Sequence, residues 1–182
     1  MLKLFTSIQL AITYHDGQKR RYYGFPYVIH PIRVAAILHK WCLGTDEQIT
    51  GVLHDIVEDT GCTQSDLREA GFSTNVQRWV EQLTNSGKTW EERKQNIIDK
   101  ALGYDLPAFI VKCADRIDNI NDLSMEIQQT GGSCGRASLD QEVWYAEEFL
   151  KIARRRIENA FILRDLDITV KFLKEMVVEH GS

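Results

Sequence analysis

The stretch from Gly51 to Thr60, GVLHDIVEDT, is the feature that most constrains what this chain can fold into. On a helix, which turns by about 100° per residue, its polar groups fall within an arc of about 140°. These groups are His54, Asp55, Glu58 and Asp59. The opposite arc is filled by apolar residues, namely Ile49, Val52, Leu53, Ile56 and Val57. The stretch therefore predicts one helix that packs into a core on one side and presents metal-binding groups on the other.

Gly51 lies within the polar arc, about one turn before His54. A glycine there predicts that another helix or a ligand comes close to the backbone. The alternative for the whole stretch is a solvated helix face that ends in a pair of acids. That alternative is disfavoured, because solvated faces rarely combine this acidic and histidine pattern with such an apolar back.

The composition favours an all-α fold. With 182 residues, of which 43% are hydrophobic and 26% charged, the chain can form one domain with a sizeable core. It has only three prolines and no long alternating run of β-branched residues. We therefore expect a single domain over residues 1–182, built as a bundle of about eight helices.

The net charge and the spacing of the cysteines limit which binding partners and which cellular compartment we expect. The formal net charge of −4 argues against a general nucleic-acid or membrane-surface binder. No apolar run approaches the roughly 18 residues that span a bilayer, and the N-terminus lacks a signal-peptide pattern. The four cysteines, Cys42, Cys62, Cys113 and Cys134, have neither paired nor zinc-finger spacing. We expect reduced thiols and a cytoplasmic location, and leave open whether the chain is a homodimer.

A glycine- and proline-containing loop connects the first two predicted helices, over residues 15–27. It contains three consecutive cations, Lys19, Arg20 and Arg21, next to aromatic residues. Guanidinium groups bind phosphates in a fork and stack on rings, so these cations could hold an anion and a base. A solvated basic turn is an equally good interpretation of the charge alone.

The roles of one further histidine and of two further basic residues are ambiguous by themselves. His30 precedes Pro31 at the predicted start of a helix, on the rim rather than in the core. A histidine at such a position is more often a capping or surface residue than a ligand. Arg93 and Lys94 follow the capping-box pattern Thr89-x-x-Glu92. They could form a solvated face or reach toward a phosphate.

The second informative stretch runs from Leu106 to Ile120 and is apolar on most sides of a helix. We expect it to be central and largely buried. Asp115 and Asn119 lie four residues apart, on one face. A buried aspartate is costly unless it is paired or coordinates a cation. The alternative to a cation is an ordinary ion pair with Arg116 or Lys112.

Four side chains from three predicted helices form a candidate ligand set: His30, His54, Asp55 and Asp115. Imidazole nitrogen and carboxylate oxygen suit Mn²⁺, Fe²⁺ or Zn²⁺, and no thiolate is placed for a closed structural zinc site. Glu58 and Asp59 could then orient a water molecule or accept its proton. This arrangement indicates metal-assisted hydrolysis of a phosphoester or phosphoanhydride.

Four motifs carry a resemblance to a known family. They are His15-x-Gly-Gln-x-Arg, Gly24-x-Pro-Tyr-x-x-His-Pro-x-x-Val-Ala35, Leu53-His-Asp-x-x-Glu-Asp-Thr60 and Lys112-x-Ala-Asp-Arg-x-x-Asn119. The chain resembles the HD-domain metal-dependent phosphohydrolases over roughly residues 8–155. The closer resemblance is to the hydrolase domain of the RelA/SpoT family, especially the small alarmone hydrolases that include the metazoan SpoT homologues.

The resemblance implies a role for each matched position. His30, His54, Asp55 and Asp115 would bind Mn²⁺, while Glu58 and Asp59 would be catalytic, positioning and activating the water. Substrate binding would involve Arg20, Arg21, Lys94 and Asn119. The implied reaction removes the 3′-pyrophosphate from the guanine nucleotides ppGpp and pppGpp, giving GDP or GTP and pyrophosphate. No synthetase region follows in the sequence, so we expect no synthesis of the alarmone.

Two alternatives remain at this stage. One keeps the metal-dependent phosphohydrolase but changes the substrate to another 3′-phosphorylated nucleotide or to NADPH. The other is a non-catalytic regulator that binds a nucleotide, which would be expected to lack a ligand or one of the Glu58–Asp59 pair. The sequence retains all of these residues.

Overall fold

The computed structural model describes residues 2–20, 24–131 and 139–180. Within these ranges it contains α-helices and no strand, which confirms the all-α prediction. The helices are α1 (Leu2–Tyr14), α2 (Ile29–Lys40), α3 (Thr45–Leu53), α4 (Ile56–Asp59), α5 (Gln64–Glu69), α6 (Thr74–Leu83), α7 (Trp90–Ala101), α8 (Leu106–Thr130), α9 (Leu139–Arg156) and α10 (Ala160–His180). The described ranges thus hold ten helices, against the expected eight or so.

The contacts of the chain fall into two compact units. The first comprises Met1–Ser86 and Gly103–Asp115, and the second comprises Gly87–Leu102 and Arg116–Ser182. Helix α8 contributes its first part to the first unit and the remainder to the second. That residues 1–182 act as a single domain stays a prediction.

The first unit is organised around α3, which packs against α1, α2 and α6. Its apolar side is completely buried in a cluster with residues of α1, α5 and α6. The members of this cluster are Ala11, Ile49, Val52, Leu53, Ile56, Cys62, Leu67, Phe72, Val76 and Val80. The predicted apolar face therefore forms the core, and the free energy gained by burying it holds the site-bearing segment in place.

The second unit is built on the pair α9 and α10, with α7 packed against α9. Its buried residues recur at helical spacing along α9 and α10, including Tyr145, Phe149, Leu166 and Leu173. The Thr89 capping box that begins α7 is present, as the sequence predicted: the Thr89 hydroxyl accepts from the Glu92 N–H. This unit supplies helix α7, on which Lys94 lies.

The segment from Gly51 to Thr60 is not one continuous helix, so that part of the prediction was wrong. Helix α3 ends at Leu53, and α4 begins at Ile56. In an unbroken helix the Gly51 carbonyl would accept the N–H of Asp55, four residues on. Instead, Nδ1 of His54 lies 2.8 Å from that carbonyl oxygen. The side chain of His54 thus binds a carbonyl of the last turn of α3, at the point where the helix is interrupted and the ligand candidates lie.

Gly51 has the role that its position predicted, and the close neighbour is another helix. A Cβ atom added at Gly51 would lie 2.6 Å from Cδ1 of Leu38 and 3.3 Å from Cγ1 of Val34, both on α2. Leu38 and Val34 are completely buried and have little room to move. The glycine therefore sets the distance at which α2 packs on α3.

Among the described residues, no helix is both long and apolar enough to cross a membrane.

Gly51→Ala should destabilise the protein although alanine favours helices. The gain in helix propensity is about 1 kcal/mol, whereas overpacking a filled core costs about 1–3 kcal/mol. We expect a net loss of roughly 1 kcal/mol in the free energy of unfolding, measured by urea denaturation, and a larger loss for Gly51→Val. Gly61→Ala is the control, because nothing lies within 4 Å of a Cβ there. Equal stability of Gly51→Ala and wild type would refute the close-packing argument.

Candidate metal centre

Four side chains from three parts of the first unit converge on one point. His30 comes from the first turn of α2, His54 and Asp55 from the interruption between α3 and α4, and Asp115 from α8. One ligand atom from each lies within 4.8 Å of the others. The structure therefore brings together the four residues that the sequence selected; that they bind a metal stays a prediction.

The distances within this cluster are those of nitrogen and oxygen atoms around a shared centre. Nε2 of His30 lies 3.2 Å from Oδ1 of Asp115 and 3.5 Å from Oδ2 of Asp55. Nε2 of His54 lies 3.0 Å from Oδ2 of Asp55 and 3.5 Å from Oδ1 of Asp115. His30 is only 1% exposed, so the expectation that it lies on the rim was wrong.

The hydrogen bond of His54 to the Gly51 carbonyl fixes which nitrogen faces the cluster. A carbonyl can only accept, so Nδ1 must carry a proton at this 2.8 Å contact. In the neutral ring, Nε2 then carries the lone pair. Nε2 is buried and makes no hydrogen bond within the described part of the chain. Metal-binding histidines are typically held in this way, with the far nitrogen donating to a carbonyl or carboxylate.

The electrostatics of the cluster favour a positive charge between the two carboxylates. Burial would raise the pKa of Asp55, but His54 and His30 hold it well below its usual value. Burial opposes a charge on His54, yet Asp55 and Asp115 raise its pKa to about 10. Without another cation, the ring of His54 supplies that charge by binding a proton. The buried nitrogen and oxygen donors fit a divalent ion, whose binding would displace this proton.

The two oxygen atoms of Asp115 face different groups. Oδ2 lies 2.8 Å from Nζ of Lys112, and Oδ1 faces the two histidines. Lys112 is the leading influence that holds the pKa of Asp115 well below its usual value, against the effect of burial. The ion pair and the ligand position, which were alternatives at the level of sequence, are therefore both present.

Glu58 and Asp59 lie on α4 and are held by different partners. Oε2 of Glu58 accepts the backbone N–H of Asn85 at 2.7 Å. Oδ2 of Asp59 accepts from the hydroxyl of Tyr27 at 3.0 Å. Partial loss of hydration and the charge of Asp55 raise the pKa of both carboxyls above the usual values, and Asp59 also raises that of Glu58. Both are therefore better proton acceptors than carboxylates of ordinary pKa.

Tyr27 was not selected from the sequence, although it belongs to the site. Its hydroxyl lies 2.6 Å from Oδ2 of Asp55 as well as 3.0 Å from Oδ2 of Asp59. Its ring lies edge-on to that of His30, with centroids 5.8 Å apart. The available signal was its spacing, since it precedes His30 by three residues and could meet it across the first turn of α2.

The proposed substrate-binding residues are distributed over both units. Arg20 lies in the first unit with its guanidinium 5.6 Å from the ring centroid of Tyr27. Arg21 lies outside the described residues. Lys94 and Asn119 belong to the second unit. The ammonium of Lys94 lies 4.7 Å from the ring centroid of Tyr145 and 5.8 Å from that of Trp90.

Comparison with known proteins identifies relatives of this chain. Residues 7–144 match the family model described as HD domain. The chain is 32% identical over 128 residues to a guanosine-3′,5′-bis(diphosphate) 3′-pyrophosphohydrolase of Borreliella burgdorferi, covering 66% of this chain and 19% of the relative. It is 32% identical over 136 residues to a GTP pyrophosphokinase of Myxococcus xanthus, covering 69% and 18%. It thus spans less than a fifth of the length of these relatives.

A solved structure matches over nearly the whole chain. It is that of a metazoan ortholog of SpoT that hydrolyzes ppGpp, with a TM-score of 0.81, 28% identity, and coverage of 94% of this chain and 95% of that one. Because the HD-domain model covers more than half of the sequence, the protein belongs to the HD-domain family. Hydrolases of this family depend on a divalent metal, and the four-residue cluster could hold one. The family expected from the motifs is confirmed.

The raised pKa of Glu58 predicts how the metal-free protein responds to pH. A carboxyl whose pKa is raised on folding binds protons more tightly in the folded state. Its contribution to stability is therefore complete below the ordinary pKa of 4.5 and is lost as the pH rises through the folded value. We expect metal-free Glu58→Gln to be more stable than wild type at pH 7, with a flatter decline above pH 4.5.

The measurement is urea denaturation in a chelator at several pH values. Glutamine keeps an oxygen that can accept the Asn85 N–H, so the variant removes the charge without removing that hydrogen bond. The control is Glu81→Gln, which changes an exposed residue of α6. A Glu58→Gln protein that is no more stable than wild type at pH 7 would contradict the predicted cost of this half-buried charge.

Proposed function

We propose that the protein is a Mn²⁺-dependent 3′-pyrophosphohydrolase of ppGpp and pppGpp. The observation that carries the proposal is the cluster of His30, His54, Asp55 and Asp115, with two carboxylates of raised pKa one turn away. The name of the Borreliella burgdorferi relative and the activity of the metazoan SpoT ortholog support this substrate class. The close structural match over the whole chain supports the transfer of that activity.

The donor set is compatible with Mn²⁺, and the choice of Mn²⁺ over Fe²⁺ or Zn²⁺ rests on the motif resemblance. Two imidazole nitrogens and two carboxylate oxygens suit the divalent ions of the first transition row, and none of the four donors is a thiolate. Such an ion, when bound, lowers the pKa of water and polarises a phosphoryl oxygen. The residues of the chain fix the ligand positions: the Gly51 carbonyl orients His54, and Lys112 orients Asp115.

The chain's own carboxylates would manage the proton of the attacking water. In the overall reaction, a water oxygen forms a bond to the phosphorus attached to the 3′ oxygen of the ribose. The bond between that phosphorus and the 3′ oxygen breaks, and pyrophosphate leaves. Glu58 or Asp59 accepts the proton that the water loses, and the 3′ oxygen gains one. The raised pKa values of both carboxyls suit this task, because a base is most effective when its pKa lies nearer the working pH.

Substrate binding is proposed to use cations around this centre. Arg20 is placed by the loop that also carries Tyr27, where a guanidinium could bind a phosphate or stack on guanine. Arg21, Lys94 and Asn119 are proposed as further contacts to the nucleotide, on the basis of the motif resemblance. We also propose that the protein works in the cytoplasm, a setting supported by the free thiols of Cys42 and Cys62.

Removal of the metal or of a ligand should abolish activity. Purified protein with Mn²⁺ is expected to convert ppGpp to GDP and pyrophosphate, with both products identified by chromatography. Protein stripped with a chelator should lose more than 100-fold in rate, because the metal is removed. His54→Ala should lose as much, because one ligand is lost from the centre. Full activity of the stripped protein would refute the metal-dependent mechanism.

The same assay separates the substrate alternatives. NADPH carries its additional phosphate on a 2′ oxygen, so it tests whether the enzyme selects the 3′ position. A guanosine nucleotide with a single 3′-phosphate tests whether the pyrophosphate is required. Faster turnover of either compound than of ppGpp would overturn the proposed substrate, and binding without turnover of any of them would favour a nucleotide-binding regulator.

Arg20→Ala should weaken substrate binding without weakening metal binding. We expect KM for ppGpp to rise about tenfold or more, since a charged contact to phosphate contributes about 1.5–3 kcal/mol. The dissociation constant for Mn²⁺ should stay within twofold, because Arg20 is not among the four ligand candidates. Arg68→Ala, on the exposed side of α5, is the control. Loss of metal with unchanged KM would contradict this role of the loop.

A further inference from the structure

The hydroxyl of Tyr27 links the metal-ligand candidate Asp55 to the catalytic candidate Asp59. It lies 2.6 Å from Oδ2 of Asp55 and 3.0 Å from Oδ2 of Asp59. Oδ2 of Asp55 is also the oxygen that faces His30 and His54. One phenolic group therefore touches both the ligand set and the acid pair.

A phenol has a single proton to donate, so it can bond only one of the two carboxylates at a time. A tyrosine hydroxyl keeps its proton at neutral pH, so it acts as a donor to these carboxylates. Both carboxylates lie within hydrogen-bond distance of this hydroxyl, so it is a donor that they share. Without the hydroxyl, two like charges would face each other with no donor between them.

The loop around Tyr27 is arranged to hold this hydroxyl in place. The N–H of Tyr27 donates to the Gln18 carbonyl at 2.9 Å, and the Gln18 amide donates to the main-chain carbonyl of Asp59 at 2.8 Å. Nδ1 of His15 lies 2.7 Å from Oε1 of Gln18, and its ring lies 4.8 Å from that of Tyr27. The loop thus contacts the main chain of Asp59 through Gln18 and the side chain of Asp59 through Tyr27.

We propose that Tyr27 is a positioning residue that orients Asp55 toward the metal and Asp59 toward the attacking water through its one hydroxyl. The role of Asp55 concerns metal binding alone, whereas the role of Asp59 rests on the proposed hydrolase function. The loop over residues 15–27 then does more than bind substrate: it also sets the geometry of the metal centre.

Tyr27→Phe is the decisive variant, because it removes the hydroxyl and keeps the ring beside His15, His30 and Arg20. Loss of a hydrogen bond to a metal-binding side chain typically weakens metal binding 10- to 100-fold. We expect the dissociation constant for Mn²⁺, measured by calorimetry, to rise at least tenfold. With saturating metal, kcat for ppGpp should fall about tenfold or more while KM stays within twofold.

A double-mutant cycle with Asp59→Asn separates the two roles. If Tyr27 acts on kcat through Asp59, Tyr27→Phe should lower kcat little further in the Asp59→Asn background. Its effect on the affinity for Mn²⁺ should persist there, because that effect passes through Asp55. The control is Tyr14→Phe, which removes a hydroxyl near Cys62 and Asp66 instead of the ligand cluster.

Each outcome bears on the proposal. Unchanged Mn²⁺ affinity in a folded Tyr27→Phe protein would overturn the positioning of Asp55, and fully additive effects on kcat would overturn the positioning of Asp59. An equal loss of metal affinity in Tyr14→Phe would show general destabilisation and would also overturn it. If wild type binds Mn²⁺ but does not hydrolyse ppGpp, the proposed function fails while the metal-affinity arm still tests Tyr27.

Discussion

The hydrogen bond between Nδ1 of His54 and the carbonyl oxygen of Gly51 is the interaction on which the site depends. It is made at the carbonyl oxygen of Gly51 in the last turn of α3, where the helix ends and the chain turns at His54 and Asp55. It also places the proton on Nδ1 and directs Nε2 toward Asp55 and Asp115. The same glycine lacks a side chain, which allows α2 to pack closely and brings His30 to the cluster. Gly51 thus binds His54 through its carbonyl, and its lack of a side chain leaves the space in which α2 places His30.

Burying two carboxylates and two imidazoles together is costly unless a positive charge lies among them. The protein supplies part of that charge permanently, through Lys112 beside Asp115. Asp55 and Asp115 raise the pKa of His54 to about 10, which favours a proton on its ring in the metal-free protein, and the proposed metal ion would supply the charge in its place. The apolar cluster of the first unit supports this arrangement, because it fixes the backbone that carries the charged groups. The free energy gained by burying this core therefore offsets the cost of placing the charged groups together.

The sequence predicts which residues form this site better than it predicts how the backbone arranges them. Helical periodicity and the chemistry of imidazole and carboxylate select His30, His54, Asp55 and Asp115, and the structure brings these four together. Periodicity assumes a regular backbone, so it could not show that His54 would take a helix acceptor and interrupt the helix. It also assigned His30 to the rim because a helix start is usually exposed, whereas His30 is only 1% exposed and its ring contacts those of Tyr27 and His54.

Tyr27 shows a second limit of sequence reasoning. A tyrosine next to a proline in a loop has no periodicity to mark it, and its importance depends on contacts with residues about thirty positions away. Lys94 and Asn119 were selected through the motif resemblance, and they lie in the second unit. Their contacts to a nucleotide stay a prediction that rests on this resemblance.

The claim that these four side chains share one divalent ion is tested most directly by anomalous diffraction from crystals grown with Mn²⁺. We expect one strong anomalous peak per chain in the first unit, coordinated by Nε2 of His30, Nε2 of His54 and a carboxylate oxygen from each of Asp55 and Asp115. Glu58 and Asp59 should lie beside the ion without coordinating it directly. A peak at another position, or an ion held by Glu58 or Asp59 in place of one of the four, would refute the shared metal site.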